Sequence, residues 1–148
     1  MPAKTQRFET RQHMKNNTFE IFRYRDDYPK EVALHHHDFY EIYLFLTGNV
    51  NYTVESRNYH LAPGDMLLIS PMELHQPTFG VDNHNYERIV VWIDKSYLEQ
   101  YSHIGVDLTT CFNTQSAWHN NLIRLDSTTQ QVLSYYFEQL IKELQKNR

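Results

Sequence analysis

Leu34-His35-His36-His37-Asp38-Phe39-Tyr40-Glu41-Ile42-Tyr43-Leu44-Phe45-Leu46-Thr47-Gly48 is the stretch whose reading decides the fold. In an extended chain, successive side chains point to opposite faces. His35, His37, Phe39, Glu41, Tyr43 and Phe45 therefore share one face, with Tyr40, Ile42, Leu44 and Leu46 on the other. Both faces are apolar, which predicts a strand covered on each side: a barrel interior on one, a helix or second sheet on the other. His36 has the opposite parity and reads as an exposed neighbour.

Outward from this strand, short aromatic and β-branched runs recur. They lie at Thr18–Tyr24, ended by Asp26, Asp27 and Pro29, and at Val50–Glu55, Met66–Ile69 and Tyr86–Ile93. Gly48-Asn49, Ser56-Arg57-Asn58, Pro63-Gly64-Asp65 and Asp82-Asn83 supply the turns. Strands at this spacing predict a mainly β, antiparallel architecture. After Ile93 the pattern changes. Ser96-Tyr97-Leu98-Glu99 has the capping-box form, with Gly105 to stop a short helix. Residues 106–125 carry weak local signals, with Leu122, Ile123 and Leu125 as packing candidates. From Ser127, Val132, Leu133, Tyr136, Phe137, Leu140, Ile141 and Leu144 recur at helical spacing, predicting a helix over about 127–146. Val132, Tyr136, Leu140 and Leu144 form one edge of its apolar arc and Leu133, Phe137 and Ile141 the other. One edge is expected against the sheet and the other against a second copy. The resulting division is an N-terminal arm at 1–17, a barrel core at 18–95 and a helical or irregular C-terminal part at 96–148.

Composition narrows the function classes. At 148 residues, 41% hydrophobic and 22% charged, the chain suits one globular domain, and no run approaches a membrane span. Lys+Arg 14 against Asp+Glu 18 gives a net charge of −4. With no basic run to neutralise phosphates, this chain is not expected to bind nucleic acid by itself. Cys111 is the lone cysteine and has no intrachain disulfide partner, which suits a reducing compartment. The first residues contain no signal-peptide core, so a cytoplasmic protein is expected.

His35, His37 and Glu41, with His75 as a fourth donor, supply the nitrogen and oxygen ligands that a divalent transition metal takes, and zinc, nickel, manganese and iron all remain open. The same groups can equally form a metal-free polar cluster, bonded to one another, to water or to a ligand. Tyr43, Tyr52 and Trp92 offer rings with polar tips for a sugar or another small polar ligand, and such rings also fill cores. No legible base accompanies Cys111 or the serines, and the isolated glycines form no phosphate loop.

His35-x-His37-x3-Glu41-x6-Gly48 resembles the first cupin motif at every named position. Pro63-Gly64-Asp65, followed by Pro71 and His75, resembles a form of the second. There Glu73 stands where a glycine is usual, and the histidine comes one residue early. The wording from His35 to Pro77 resembles the sensor domain of AraC-type bacterial transcription regulators, and the resemblance extends over roughly Thr18 to Leu144. It implies a cupin jelly-roll barrel that binds a small effector, C-terminal helices that make a homodimer, and no catalysis. In the complete regulator a helix-turn-helix domain follows, and this chain is expected to be the sensor part alone. The candidate ligand-binding residues read from the sequence are His35, His37, Glu41, Tyr43, Tyr52, His75 and Trp92, with His35, His37, Glu41 and His75 as metal donors. The competing readings are a free-standing metal-dependent cupin enzyme, either a dioxygenase or a sugar isomerase, and a structural dimerisation domain with a filled interior.

Overall fold

The computed structural model describes residues 5–6, 8, 11–82, 84–102 and 105–147. The strands are β1 (Phe19–Asp26), β2 (Tyr40–Thr47), β3 (Val50–Val54), β4 (Arg57–His60), β5 (Asp65–Ile69), β6 (His75–Phe79), β7 (Tyr86–Ile93) and β8 (Leu122–Arg124). Two helices, α1 (Lys95–Gln100) and α2 (Ser127–Lys146), and a 3-10 turn at Thr110–Phe112 complete the chain. The strands form a five-stranded sheet in the order β1-β7-β2-β5-β8 and a three-stranded sheet in the order β4-β3-β6. All strand pairings within them are antiparallel. This is the expected mainly β jelly-roll with a C-terminal helix.

β2 is covered on both faces, as its alternation requires. Inward, Tyr43 and Phe45 pack with Val50, Tyr52, Val54, Leu67, Ile69 and Val90 between the sheets. Outward, Leu44 and Ile42 pack with Ile21, Ile89 and Val91 beneath Phe137, Ile141 and Leu144 of α2. Tyr40 and Leu68 meet Leu98 of α1 and Phe112 of the 3-10 turn. Leu122, Ile123 and Leu125 each join one of these three clusters. α2 is capped by Asp126, whose carboxylate accepts the Thr129 amide at 2.8 Å. Its Val132, Tyr135, Tyr136 and Leu140 face away from the barrel, exposed. Leu144 belongs to the barrel-facing edge instead of the outer one, because positions 137, 141 and 144 stack on one side of a 3.6-residue helix. Among the described residues no helix is long and apolar enough to cross a membrane.

Local details differ from the sequence expectation for identifiable reasons. The hairpin between β3 and β4 turns at Glu55-Ser56, with Val54 paired to Arg57, so Arg57 and Asn58 already lie in a strand. Glu55 takes the left-handed conformation, φ 53°, that the tight turn demands. α1 is capped by Asp94, whose carboxylate accepts the Tyr97 amide at 3.1 Å, which leaves Ser96 inside the helix. The helix ends at Gln100, before Gly105. The expected turn at Asp82-Asn83 is described only at Asp82, and Asn83 lies outside the described residues. Of the arm, Gln6 bridges Tyr24 and the Phe8 ring meets Tyr24 edge-on at 5.5 Å; the arm's residues 1–4, 7, 9 and 10 lie outside the described set.

Candidate functional site

Glu41 projects from the inner face of β2, paired across the sheet with Trp92 of β7. Trp92 Nε1 donates to Glu41 Oε1 at 2.7 Å. His37 sits just ahead of β2. His75 opens β6, where its backbone exchanges hydrogen bonds with His35 at 2.9 and 3.1 Å. His37 Nε2 faces Glu41 Oε1 at 3.6 Å, and His75 Nε2 faces Glu41 Oε2 at 3.7 Å. The ligand atoms of these three residues all lie within 4.8 Å of one another. His35 is half-buried and stands alongside, its ring 4.2 Å from that of His75, outside the group of three.

The imidazole tautomers follow from their partners. His37 Nδ1 lies 3.2 Å from the Phe39 carbonyl, His75 Nδ1 2.8 Å from that of Glu73, and His35 Nδ1 2.8 Å from that of Ala33. A carbonyl only accepts, so each Nδ1 carries a hydrogen, and in the neutral ring Nε2 then presents a lone pair. The Nε2 atoms of His37 and His75 are buried without a hydrogen-bond partner. Two unspent lone pairs beside a carboxylate, with carbonyls fixing the opposite nitrogens, fit a divalent transition metal. Burial pushes the Glu41 carboxyl upward, but His37, His75 and the Trp92 N–H pull it further down, to about 2. Burial lowers the His75 imidazole to about 4, against the pull of Glu41. At neutral pH the carboxylate is charged and this imidazole neutral, the protonation state that a metal ion requires.

A cavity of about 770 Å³ opens from this cluster between the sheets. His35, His37, Glu41, Tyr43, Tyr52 and Trp92 line it, while His75 lies behind the wall, fully buried. The filled-interior reading therefore does not describe this barrel. Tyr43 and Tyr86 join hydroxyl to hydroxyl at 2.5 Å. Burial raises both phenols, so they stay protonated and can each donate or accept. Sequence reasoning missed the far end of the cavity. There Arg88, itself buried, donates to Asp26 at 2.6 Å and lies 4.1 Å from the Tyr86 ring centre. Parity could have found it: Tyr86, Arg88, Val90 and Trp92 alternate on one face, and an arginine in an inward position is anomalous. Arg11 had no such signal. It reaches from the arm to within 5.2 Å of the Trp92 ring and pairs with Glu20 at 2.9 Å.

The turn before His75 shows how the shortened second motif still brings its imidazole to Glu41. Met72, directly after Pro71, adopts φ 70° while its amide donates to the His37 carbonyl at 2.8 Å. The left-handed conformation costs a side chain roughly 1–2 kcal/mol, and glycine returns part of this as chain entropy. Met72 is 55% exposed, so little packing is at stake. Met72→Gly should therefore raise unfolding stability by about 0.5–1 kcal/mol in denaturant titration. A destabilised variant would show that the methionine side chain matters more than its backbone.

One solved structure and a family model agree with this architecture. The chain is similar to a cupin protein from Bacteroides fragilis, with 23% identity, 66% of this chain and 83% of that one covered, and a TM-score of 0.51. It is also similar to a cupin 2 conserved barrel domain protein from Salinispora arenicola, at 20% identity, 67% and 82% coverage and a TM-score of 0.48. A DMSP lyase from Ruegeria pomeroyi shares 18% identity over 54% of this chain and 40% of its own, with a TM-score of 0.47. At these identities the likeness concerns the fold alone. No curated protein matches the chain. The model of the AraC-like ligand binding domain matches residues 18–148, which take in both sheets, the histidine–glutamate cluster, the cavity and α2, and the chain belongs to that family.

Proposed function

We propose that this chain is the effector-sensing and dimerising part of an AraC-type transcription regulator, acting in the cytoplasm, with residues 1–17 as arm, 18–95 as barrel core and 96–148 as the C-terminal part. DNA reading falls to the helix-turn-helix domain of the complete regulator. The observation that carries this reading is a large cavity lined by aromatic rings, phenol hydroxyls and the His37–Glu41 pair. Such a lining encloses a small polar molecule, and a sugar suits rings with hydroxyl tips. Trp92 holds Glu41 in place, Tyr43 and Tyr86 offer a donor and an acceptor, and Tyr52 extends the aromatic wall. His37, Glu41 and His75, with His35 alongside, would hold a zinc, nickel, manganese or iron ion. When bound, that ion supplies a Lewis-acid point for a ligand oxygen.

Trp92 reports on the cavity, and Trp118→Phe removes the exposed second indole from the signal. Titration of that variant with a panel of neutral monosaccharides should give a saturable change in emission for at least one sugar. Adding Tyr43→Phe should weaken that sugar by about tenfold, the worth of one hydrogen bond in a dry site. A flat response across the panel would reject a sugar effector. The convergence of three donors beside an open cavity that His37 and Glu41 line also favours the second reading, a metal-dependent cupin dioxygenase or sugar isomerase. Turnover of substrate on metal addition would establish it.

A further inference from the structure

His75 is delivered to the cluster by a turn, Ser70–Leu74, that contacts the stretch between the barrel and α2. We infer that Asn121 is a positioning residue that holds the His75 imidazole in place through Glu73, an inference resting on the reading of His37, Glu41 and His75 as metal donors. Glu73 closes the turn: its Oε1 accepts the Ser70 amide at 2.9 Å, and its own amide donates to the Ser70 carbonyl at 3.2 Å. Asn121 Nδ2 lies 3.2 and 3.4 Å from the two Glu73 carboxylate oxygens and donates to the Leu68 carbonyl at 2.9 Å. The main-chain carbonyl of Asn121 accepts the Leu68 amide at 2.9 Å, and its Oδ1 accepts from the Tyr59 hydroxyl at 3.2 Å. Asn121 is only 2% exposed. Ser70 Oγ adds a second tie, donating to the Phe112 carbonyl.

The other end of the chain of contacts is the donor itself. The Glu73 carbonyl accepts His75 Nδ1–H at 2.8 Å, which fixes both the tautomer and the ring direction that aims Nε2 at Glu41. Glu73 forms no ion pair among the described residues, although it is buried. A buried carboxylate without a cation partner is costly for stability. What it provides here is geometric: one side chain gathers the Ser70 amide and the Asn121 amide on either side of the residue that orients His75. Affinity at the site and docking of the 112–121 stretch are then linked, and the link is reciprocal. Because that stretch leads into β8 and α2, the cavity communicates with the helix proposed to dimerise.

Cobalt(II) titration of metal-free protein, followed by visible absorption and paired with thermal unfolding, tests the inference. Wild type should bind. Asn121→Ala and Glu73→Ala keep the Glu73 carbonyl but release the turn that aims it, and should weaken Co²⁺ by ~10-fold, the low end of the effect of losing an outer partner of a metal-bound histidine. Glu73→Gln keeps an acceptor for Ser70 or Asn121 and should stay within ~3-fold of wild type. A lower melting temperature for Asn121→Ala with unchanged Co²⁺ affinity and spectrum would make Asn121 merely structural and overturn the inference. Absence of Co²⁺ binding by wild type would remove the metal reading first, and this proposal with it. If Asn121→Ala does not fold, hydrogen exchange on wild type decides. Saturating Co²⁺ should slow exchange of the Leu68 and Ser70 amides, which bond to Asn121 and Glu73, and His37→Ala should abolish the slowing. Unchanged exchange in metal-saturated wild type would overturn the proposal.

Discussion

Protein purified without chelator is expected to carry about one divalent transition-metal ion per chain, and His37→Ala to lose it, with affinity falling by more than ~100-fold. The size of the effect follows from the small donor set. Among the described residues three converge within 4.8 Å, so one truncation removes a third of these ligands. It also leaves Glu41 and the His75 lone pair facing an empty corner. His37 is the better probe than His75, because its ring lines the cavity, whereas the His75 ring is fully buried behind the wall and its truncation would leave a void in the core. Chelator should lower the melting temperature of wild type but not of His37→Ala. A ligand present at a hundred times its dissociation constant adds about 2.7 kcal/mol to the folded state. Elemental analysis distinguishes zinc, nickel, manganese and iron. Substoichiometric metal in both proteins would leave the cluster as a polar contact for the effector.

The near half of this site was legible in the sequence because it rests on periodicity. A strand apolar on both faces had to lie between a barrel interior and a helix, and the inward parity of Glu41 and Tyr43 followed directly. His75 was legible as a donor by resemblance, but the means of its delivery was not. The left-handed conformation of Met72, one residue before the Glu73 that stands in the usual glycine position, is invisible in residue type. β4, β6 and β8 were missed because each is short: β4 is mostly exposed, β6 carries Pro77, and β8 has three residues set by its partner β5. Asn121 and Arg11 act across 48 residues to Glu73 and nine to Glu20, and contacts of that kind leave no local pattern. The Ser96 cap failed because a better-placed aspartate stood two residues earlier, at the end of β7.

The outer face of α2 leads to the second large effect. Val132, Tyr136 and Leu140 are 50%, 63% and 36% exposed along one side of the helix, while Phe137, Ile141 and Leu144 are committed to the barrel. An apolar strip of this kind on a soluble domain usually marks an interface. A two-fold contact closes on itself, because each strip covers its own copy and leaves no face for further growth. Sedimentation over a concentration series should therefore show a monomer–dimer equilibrium. Leu140→Glu and Tyr136→Glu should shift it to monomer without changing the melting temperature of the monomer appreciably. Each substitution places a charge in the seam twice, once per copy, at about 2–3 kcal/mol each, so the dissociation constant should rise by on the order of a thousandfold. Leu144→Glu is the informative contrast. Its side chain packs on the sheet, so it should lower the stability of the fold itself rather than report on association. Wild type that stays monomeric at several hundred micromolar would defeat the dimer for this chain, and α2 would then serve as the cover of the outer face of β2 alone.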